Sequence, residues 1–406
     1  MTPYADRGYF LIVLAIVLPM MIAGARGRAG KGWILLATAV MLLVQYDETI
    51  EVLPGRVIWE LLALVLCGVY FFAVVKMPLC GWLPRKSGLL IPLGLLPLVA
   101  AKYVPVLAPG FHFGFVGLSY VTFRALDVLW GLTDGVLAEV GLLDFLVFLF
   151  FFPTISSGPI DRFRRFRDEW RLRRGAEEFW RDMDEGVQFV FRGLLYKFVI
   201  AHLVGDHLVS HAKKVPGLLG VVEYAYSYSA LLFFDFAGYS AFAVGVSRWF
   251  GVHTPENFNK PFVAQNIRDF WNRWHMSLSF WFRDHVYTRF LLAALKGRWF
   301  KKRETAGKVG YFVSFGLMGV WHGLTWYYLL YGIYHAVLFN ILDAFTRWRK
   351  QHPLRFTARP WKWAAQLITI HCVIFGFWIF SGHGFVSEPA PTPEEPENVA
   401  TDDHGQ

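Results

Sequence analysis

The feature of this sequence that most limits its fold is a series of long apolar runs that recur along nearly the whole chain. A helix needs about 20 mostly apolar residues to cross the hydrocarbon core of a bilayer. Because that core offers no water to the backbone, runs of this kind span it as helices. They lie at 8–25, 32–46, 57–75, 88–103, 140–153, 186–204, 218–249, 309–325, 326–345 and 361–380. The sequence therefore predicts an all-α polytopic membrane protein.

The composition supports this class and excludes others. Charged residues make up 17% of the chain and aromatic residues 18%, whereas soluble domains carry about 25% charge. A soluble globule has too little interior to hide so much apolar surface, and a chain this apolar does not stay disordered. The net charge of +9 lies in short basic loops between the runs, which indicates membrane topology rather than a nucleic-acid partner. The three cysteines form no disulfide or metal-binding pattern.

The basic loops also predict orientation. Lys and Arg collect in cytoplasmic loops, and the clusters here lie at 26–31, 76–86, 162–174, 296–303 and 347–362. Placing all of them in the cytoplasm puts the N-terminus outside. It also requires that the two charge-interrupted stretches, 113–130 and 262–295, do not cross the membrane. Broken backbone at membrane depth is tolerated only beside protein or a water-filled cavity, so we expect both stretches to be re-entrant or interfacial and to line a site.

The C-terminal end differs from the rest of the chain. Residues 381–406 carry six acidic residues, four prolines and no Lys or Arg. Such a segment cannot build a packed core. The predicted organisation is a membrane domain over 1–380 and a disordered acidic tail over 381–406.

The strongest candidate for chemistry is His322, about fourteen residues into the run that starts at Val309. A polar side chain inside an apolar run is a functional candidate in a membrane. Gly316, Gly319 and Gly323 share one side of the predicted helix, which lets another backbone approach closely beside the histidine. The alternative is a histidine that is hydrogen-bonded between helices for packing alone.

The second candidate is His275. At 100° per residue its segment reads as one amphipathic helix, with tryptophans at the lipid boundary and His275 at the edge of the apolar stripe. The alternative is an interfacial anchor helix. Two histidines, one of them in the bilayer, suit general-base chemistry, although these residues alone do not identify the electrophile.

Other polar residues rank lower. His335 is a candidate third polar residue in the wall of the site. The histidines His202, His207 and His211 recur around a predicted external loop, but no carboxylate or cysteine pattern completes a metal site, so a solvated face is favoured. Arg124 and Asp127 are three residues apart on a predicted helix, where they can neutralise each other.

Three segments carry a resemblance to a known family. They are 151–162 (FFPTISSGPIDR), 272–281 (NRWHMSLSFW) and 320–323 (VWHG). With these segments the chain resembles the membrane-bound O-acyltransferase family, abbreviated MBOAT, and most closely its DltB branch of D-alanyl transferases. The similarity covers roughly residues 5–385, and the two histidine motifs stand 47 residues apart in the family's order.

The resemblance implies a ring of about 10–11 transmembrane helices, with re-entrant or interfacial helices, around a central funnel and tunnel. His322 would be the catalytic histidine and His275 the second active-site residue, with Trp321, Asn272, Ser277 and His335 as candidates for the wall. The donor would be D-alanine held as a thioester on the phosphopantetheine of a small acidic carrier protein, so no tightly bound cofactor is expected. The acceptor would be a hydroxyl of teichoic acid or another envelope polymer at the outer face of the cell membrane. A membrane-anchored accessory acyl-transfer protein is a further candidate partner.

The carrier is expected to dock where an apolar ridge meets a basic cluster. Leu291 and Leu292 precede Lys296 and Arg298, and charge steering would bring an acidic partner to this surface. The alternative is that these basic residues bind anionic lipid headgroups. Three other functions stay open from the sequence: an alginate-type O-acetyltransferase of the same family, a transporter or flippase with a histidine proton relay, and a non-catalytic scaffold.

Overall fold

The chain is described by a computed structural model over residues 4–5, 7–25, 31–44, 56–108, 115, 117–172, 174–352 and 359–385. Within these ranges it is helical and forms no β-strand. The helices are α1 Arg7–Ala25, α2 Lys31–Val44, α3 Arg56–Lys76, α4 Leu90–Leu107, α5 Leu118–Thr133, α6 Leu142–Phe150, α7 Phe163–Arg171, α8 Ala176–Leu194, α9 Ser210–Ala212, α10 Gly217–Trp249, α11 Ile267–Trp271, α12 Met276–Phe282, α13 Thr288–Lys296, α14 Arg303–His322, α15 Trp326–Gln351 and α16 Arg359–Ser381.

Short irregular helical segments complete the described chain. Two 3₁₀ turns lie at Phe152–Thr154 and Pro261–Val263, and π-helical segments lie at Leu195–Ala201, Val204–Val209 and Arg283–Tyr287. The first two π segments join α8 to α9 in one long helical element. The basic residues Arg26 and Arg28, and the acidic residues that follow the second apolar run, lie outside the described residues.

The prediction of an all-α polytopic membrane protein is confirmed. Five described segments are long and apolar enough to cross a membrane: Leu90–Leu107, Ala176–Ala212, Gly217–Trp249, Trp326–Gln351 and Pro360–Ser381. Three shorter apolar helices cover Arg7–Ile22, Gly32–Leu42 and Leu62–Lys76. The full count of about 10–11 crossings stays a prediction.

The interpretation of run 140–153 as a membrane crossing is wrong. It yields only the nine-residue α6, which is followed at once by a 3₁₀ turn, and nine helical residues span about 14 Å. The chain just before α6 lies against the basic loop that follows α3, where Lys76 donates to the carbonyl of Val140 at 3.3 Å and Arg85 to that of Ala138 at 3.2 Å.

A second contact at the start of α6 involves another basic cluster. Asp144, in its first turn, pairs with Arg171 at the end of α7, inside the largest basic cluster. The start of α6 therefore lies beside basic residues of two clusters, 76–86 and 162–174, which the predicted topology places on one side. If all basic clusters lie on one side, as the sequence predicts, α5 would cross the membrane and α6 would not, the reverse of the expectation for 113–130 and 140–153. Eleven of the sixteen residues of α5 are buried, so protein surrounds it.

Arg124 of α5 is the largest fully buried polar side chain of the described core, with 1% of its surface exposed. Its guanidinium donates to the carbonyls of Phe148 at 3.1 Å, Leu149 at 3.0 Å and Thr154 at 2.7 Å. These carbonyls lie where α6 breaks, so the arginine supplies the hydrogen bonds that the broken helix lacks. The expected pairing of Arg124 with Asp127 is wrong.

Asp127 instead joins α5 to two other segments. Its carboxylate accepts from Arg162 at 3.0 Å and from the backbone of Phe163 at 2.8 Å, and it lies 2.9 Å from Nε2 of His285. Arg162 also pairs with Asp284 at 2.9 Å. This ion-pair network fixes the 155–162 segment against α5 and the π-helical segment Arg283–Tyr287.

The first residues of the predicted tail pack against aromatic side chains of the helices. The ring of His383 stacks on that of Tyr224 with 3.8 Å between centroids, and Phe385 contacts Trp326 and Trp378. Residues 381–385 therefore belong to the membrane domain. The rest of the predicted tail lies outside the described residues.

Candidate active site

His322 is the last residue of α14, and the extended Gly323 ends the helix. Its half-buried imidazole lies 4.5 Å from the ring of Trp321 and 4.9 Å from that of Phe380, centroid to centroid. Neither ring nitrogen has a hydrogen-bond partner among the described residues. The imidazole is therefore held by aromatic packing, and its nitrogens stay available to a substrate.

The helix that carries His322 packs closely on α15, as its glycines predicted. A Cβ at Gly319 would meet the carbonyl oxygen of Tyr328 at 2.3 Å, and one at Gly332 would meet that of Phe315 at 2.2 Å. Gly319 therefore confirms the expected close approach, whereas a Cβ at Gly316 would meet nothing within 4 Å. Backbone contact of this kind positions the end of α14 without a long side chain between the helices.

His275 lies at a break between two short helices and not on one continuous helix. Its backbone is left-handed, with φ of 42° and ψ of 51°, which costs roughly 1–2 kcal/mol for a residue other than glycine. The side chain is buried, with 5% exposed. Strained backbone of this kind concentrates at functional sites.

The expected position of the tryptophans is also wrong. Trp271, Trp274 and Trp281 are buried, each with 5% or less of its surface exposed. They pack on Phe315, Phe377 and Phe123 of other elements. The apolar stripe therefore faces the protein core and not lipid, which removes the basis for an interfacial anchor.

Asn257 holds the break in place. Its carbonyl oxygen accepts from the backbone of Met276 at 2.9 Å, and its side-chain oxygen accepts from the hydroxyl of Ser277 at 2.6 Å. The same hydroxyl accepts from the backbone of Ile160 at 2.9 Å. Ser277, expected in the wall of the site, thus acts as a link between three segments that fix His275.

The two predicted histidines come together. His275 lies close enough to His322 to interact with it electrostatically. Its ring also packs edge-on against Phe236 of α10 at 4.7 Å, and its Nδ1 is buried without a partner in the described part of the chain. Trp281 of α12 and Trp321 beside His322 both pack on Phe123, so the elements that carry the two imidazoles meet there.

Two other expected wall residues lie elsewhere. His335 is fully buried in α15, where its Nδ1 accepts from Nε1 of Trp271 at 3.3 Å and its ring packs on Tyr331. It therefore supports α11 by packing. Asn272 is exposed at the end of α11, and none of its described contacts reaches either catalytic candidate.

Trp321 does lie in the site, and it reveals a residue that the sequence reading missed. Its indole packs between His322 and Phe123, whose ring is 5.3 Å away. Its carbonyl accepts from Nζ of Lys102 at 2.5 Å. A single lysine inside the apolar run 88–103 was the available signal, since ionisable residues inside membranes are functional candidates. Asn257 gave no comparable signal.

The remaining histidine group lies on the surface of a helical element. His202, His207 and His211 lie on the helical element after α8 and not in a loop. The side chains of His202 and His211 are 66% and 70% exposed, and each lies near a carboxylate, of Asp206 and Glu223. Across the described ranges, no three His, Cys, Asp or Glu residues cluster as metal ligands.

The expected docking surface lies on α13 and the turn after it. Leu292 is 61% exposed and Trp299 59% exposed, whereas Leu291 is half-buried. Lys296 and Arg298 are exposed beside them. Apolar and basic side chains therefore share one exposed surface, with Leu292 as its most accessible leucine.

Comparison with known proteins adds a family and several relatives. The model of the MBOAT, membrane-bound O-acyltransferase family, matches residues 56–382. A teichoic acid D-alanyltransferase of Bacillus subtilis is 38% identical over 399 residues, which cover 95% of this chain and 99% of the relative. One of Lacticaseibacillus rhamnosus is 36% identical over 404 residues, covering 94% and 97%. A Pseudomonas aeruginosa protein named "Probable alginate O-acetylase AlgI" is 32% identical over 274 residues, 65% of this chain and 48% of that protein.

Proposed function

The chain belongs to the membrane-bound O-acyltransferase family and is a multi-pass membrane acyltransferase, and from this premise we propose that it transfers D-alanine to teichoic acid. The support comes from relatives named teichoic acid D-alanyltransferase, which match nearly the full length of both chains. The single observation that carries the proposal is that His275 and His322, 47 residues apart in the sequence, lie on elements that meet at Phe123, which packs on both Trp281 and Trp321.

The proposed donor is D-alanine in thioester linkage to the phosphopantetheine of a carrier protein. His322 takes the proton of the acceptor hydroxyl, whose oxygen then forms a bond to the thioester carbonyl carbon. The carbon–sulfur bond breaks, and the departing thiolate recovers the proton from His322. The donor becomes a free thiol and the acceptor a D-alanyl ester, so atoms and charge balance with no other reactant.

His275 is proposed to orient the acyl donor in this site. We expect His275→Ala to lower kcat about 10²-fold, because a positioned acid–base group typically contributes 10²–10⁴. Its yield and thermal stability should stay close to wild type, since Asn257 holds the neighbouring backbone independently of the imidazole. Rates and melting curves of the purified variant test this.

An equal loss of folded protein and activity in His275→Ala would contradict the proposed role. His371→Ala serves as the matched control, because His371 is an exposed histidine of α16 that hydrogen-bonds the carbonyl of Leu367. This control should keep both its activity and its melting temperature.

The proposed cytoplasmic docking site for the carrier is the surface formed by Leu291, Leu292, Lys296 and Arg298. We expect Leu292→Asp to weaken binding of the charged carrier roughly tenfold to a hundredfold, since burying a leucine contributes about 1.5–3 kcal/mol. Added salt should weaken binding as well, because charge steering is screened over about 8 Å at physiological ionic strength. Binding to the purified protein can be measured by titration with the charged carrier.

Leu219→Asp is the matched control for this surface. Leu219 is 62% exposed at the start of α10, on the opposite side by the proposed topology. Carrier binding should persist in this variant. Unchanged binding in Leu292→Asp would remove the site from α13, and Leu172, exposed by 56% in the large basic cluster, would then be substituted next.

The proposed location is the cell membrane, with the basic clusters in the cytoplasm and the N-terminus outside. The contacts of Lys76, Arg85 and Arg171 with the 138–144 segment support a common side for two of these clusters, 76–86 and 162–174. An accessory membrane-anchored acyl-transfer protein stays a proposed partner at the outer face.

One experiment separates the proposed function from its rivals. Purified protein is reconstituted in vesicles with carrier charged with D-alanine and with lipoteichoic acid, and mass spectrometry follows both acyl groups. We expect the thioester to be consumed as D-alanyl ester appears on the acceptor. A transporter or scaffold would leave the thioester intact. Transfer from an acetyl donor in its place would favour the alginate-type activity, whose relatives this chain matches over about half of their length.

A further inference from the structure

Lys102 is an ionisable residue in the middle of an apolar helix. It lies in α4, between Leu98 and the end of the helix at Leu107, and a charge at such a position is costly unless it is paired or functional. Lys197, in the helix after α8, shows the paired arrangement, with Asp235 at 2.5 Å. Lys102 has no carboxylate partner in the described structure; its hydrogen bond goes to the carbonyl of Trp321.

This bond brings the ammonium to the end of α14. The last carbonyls of a helix lack partners within the helix and carry its partial negative charge, which a cation stabilises. An ammonium has three N–H donors, and the carbonyl of Trp321 uses one of them. Lys102 is close enough to His322 to interact with it electrostatically. Among the described residues the other two donors have no partner, so they can bind a group beside the imidazole.

A second donor without a described partner lies close to the same histidine. The indole Nε1 of Trp321 is buried and has no acceptor among the described residues, and its ring lies 4.5 Å from that of His322. A buried donor without a partner costs about 1–3 kcal/mol. Donors left free around a reacting group are the arrangement that stabilises negative charge as it forms.

We propose that Lys102 is a catalytic residue that stabilises the oxyanion formed when the acceptor hydroxyl attacks the thioester carbonyl. This inference rests on the proposed function. As the new carbon–oxygen bond forms, the electron pair of the carbonyl moves to its oxygen, and His322 holds the hydroxyl proton. The ammonium donates to that oxygen without losing a proton. When the carbon–sulfur bond breaks, the pair returns to the carbonyl, and the thiolate takes the proton from His322.

Substitutions at Lys102 test the charge separately from the hydrogen bond. Lys102→Met removes both, and Lys102→Gln keeps a neutral donor for the carbonyl of Trp321. We expect kcat for D-alanyl transfer from the charged carrier to lipoteichoic acid to fall about 10²–10³-fold in both variants, the effect of losing one oxyanion donor. KM for the carrier should stay unchanged, because Lys102 is remote from the docking surface. Lys102→Arg should recover a measurable part of kcat.

Lys197→Met is the matched control, since it removes a half-buried lysine of another helix and should keep the wild-type kcat. Wild-type kcat in Lys102→Gln would show that only the hydrogen bond matters and would overturn the proposal. If Lys102→Met fails to fold, Lys102→Gln alone decides. His322→Ala is measured in parallel. If His322→Ala is inactive and the Lys102 variants keep the wild-type kcat, this inference alone is overturned. If His322→Ala stays active, the proposed function is overturned.

Discussion

Replacing His322 with alanine is expected to abolish D-alanyl transfer while the protein still inserts into the membrane and is extracted normally. The loss should be at least 10²–10⁴-fold in kcat, the usual contribution of a positioned general base. The physical reason is that the imidazole nitrogens make no hydrogen bonds within the described structure and are therefore not needed to hold the fold. Single-turnover consumption of the charged carrier in detergent or vesicles measures this effect directly.

His202→Ala should keep wild-type activity, since His202 is an exposed histidine of the element after α8. Size-exclusion profiles should be identical for both variants and wild type. Near wild-type transfer in His322→Ala would remove the residue from the mechanism and leave His275 as the remaining candidate base.

Replacing Arg124 with methionine is expected to prevent accumulation of folded protein. Methionine keeps an unbranched stem but leaves the carbonyls of Phe148, Leu149 and Thr154 buried without donors. Each unsatisfied group costs about 1–3 kcal/mol, so a total on the order of 3–5 kcal/mol is a cautious expectation. Folded proteins have only about 5–15 kcal/mol of stability in total. The yield of monodisperse protein and its thermal unfolding curve measure the effect.

Two further variants identify the cause of that loss. Arg192→Met should change stability by less than about 0.5 kcal/mol, as expected for an exposed side chain with a weak partner; its guanidinium is 48% exposed and 4.0 Å from Glu256. Arg124→Lys should recover only part of the stability, because an ammonium cannot reproduce the planar fork of donors. Normal yield and melting of Arg124→Met would mean that other groups or water satisfy these carbonyls.

The membrane class and most of the helices could be predicted from the sequence. A bilayer accepts only segments of sufficient length and hydrophobicity as spanning helices. The long apolar runs at 218–249 and 361–380 therefore form helices whose bounds are close to the predicted ones. His322 stood out for a similar reason, since a polar group within an apolar run needs a cause. These features depend on local sequence alone.

The break at His275 could not be read in this way. Its apolar residues keep a helical period, and that period shows which residues avoid water but not whether protein or lipid covers them. Hydrogen bonds from Met276 and Ser277 to the distant Asn257 compensate for the strained backbone. Bonds between residues far apart in sequence leave no periodic signal.

The partners of the charged residues were also decided by tertiary structure. Sequence spacing paired Arg124 with Asp127, yet the arginine binds the carbonyls at the break after α6 and the aspartate binds Arg162 and lies beside His285. The stretch 140–153, expected to be one crossing helix, forms only the nine-residue α6 and a 3₁₀ turn for the same reason. The sequence determined by itself that charges inside the membrane domain must be compensated. Only the packing of distant segments decided which groups compensate them, because a buried charge takes the partner that the fold brings within hydrogen-bond distance and not the one nearest in the chain.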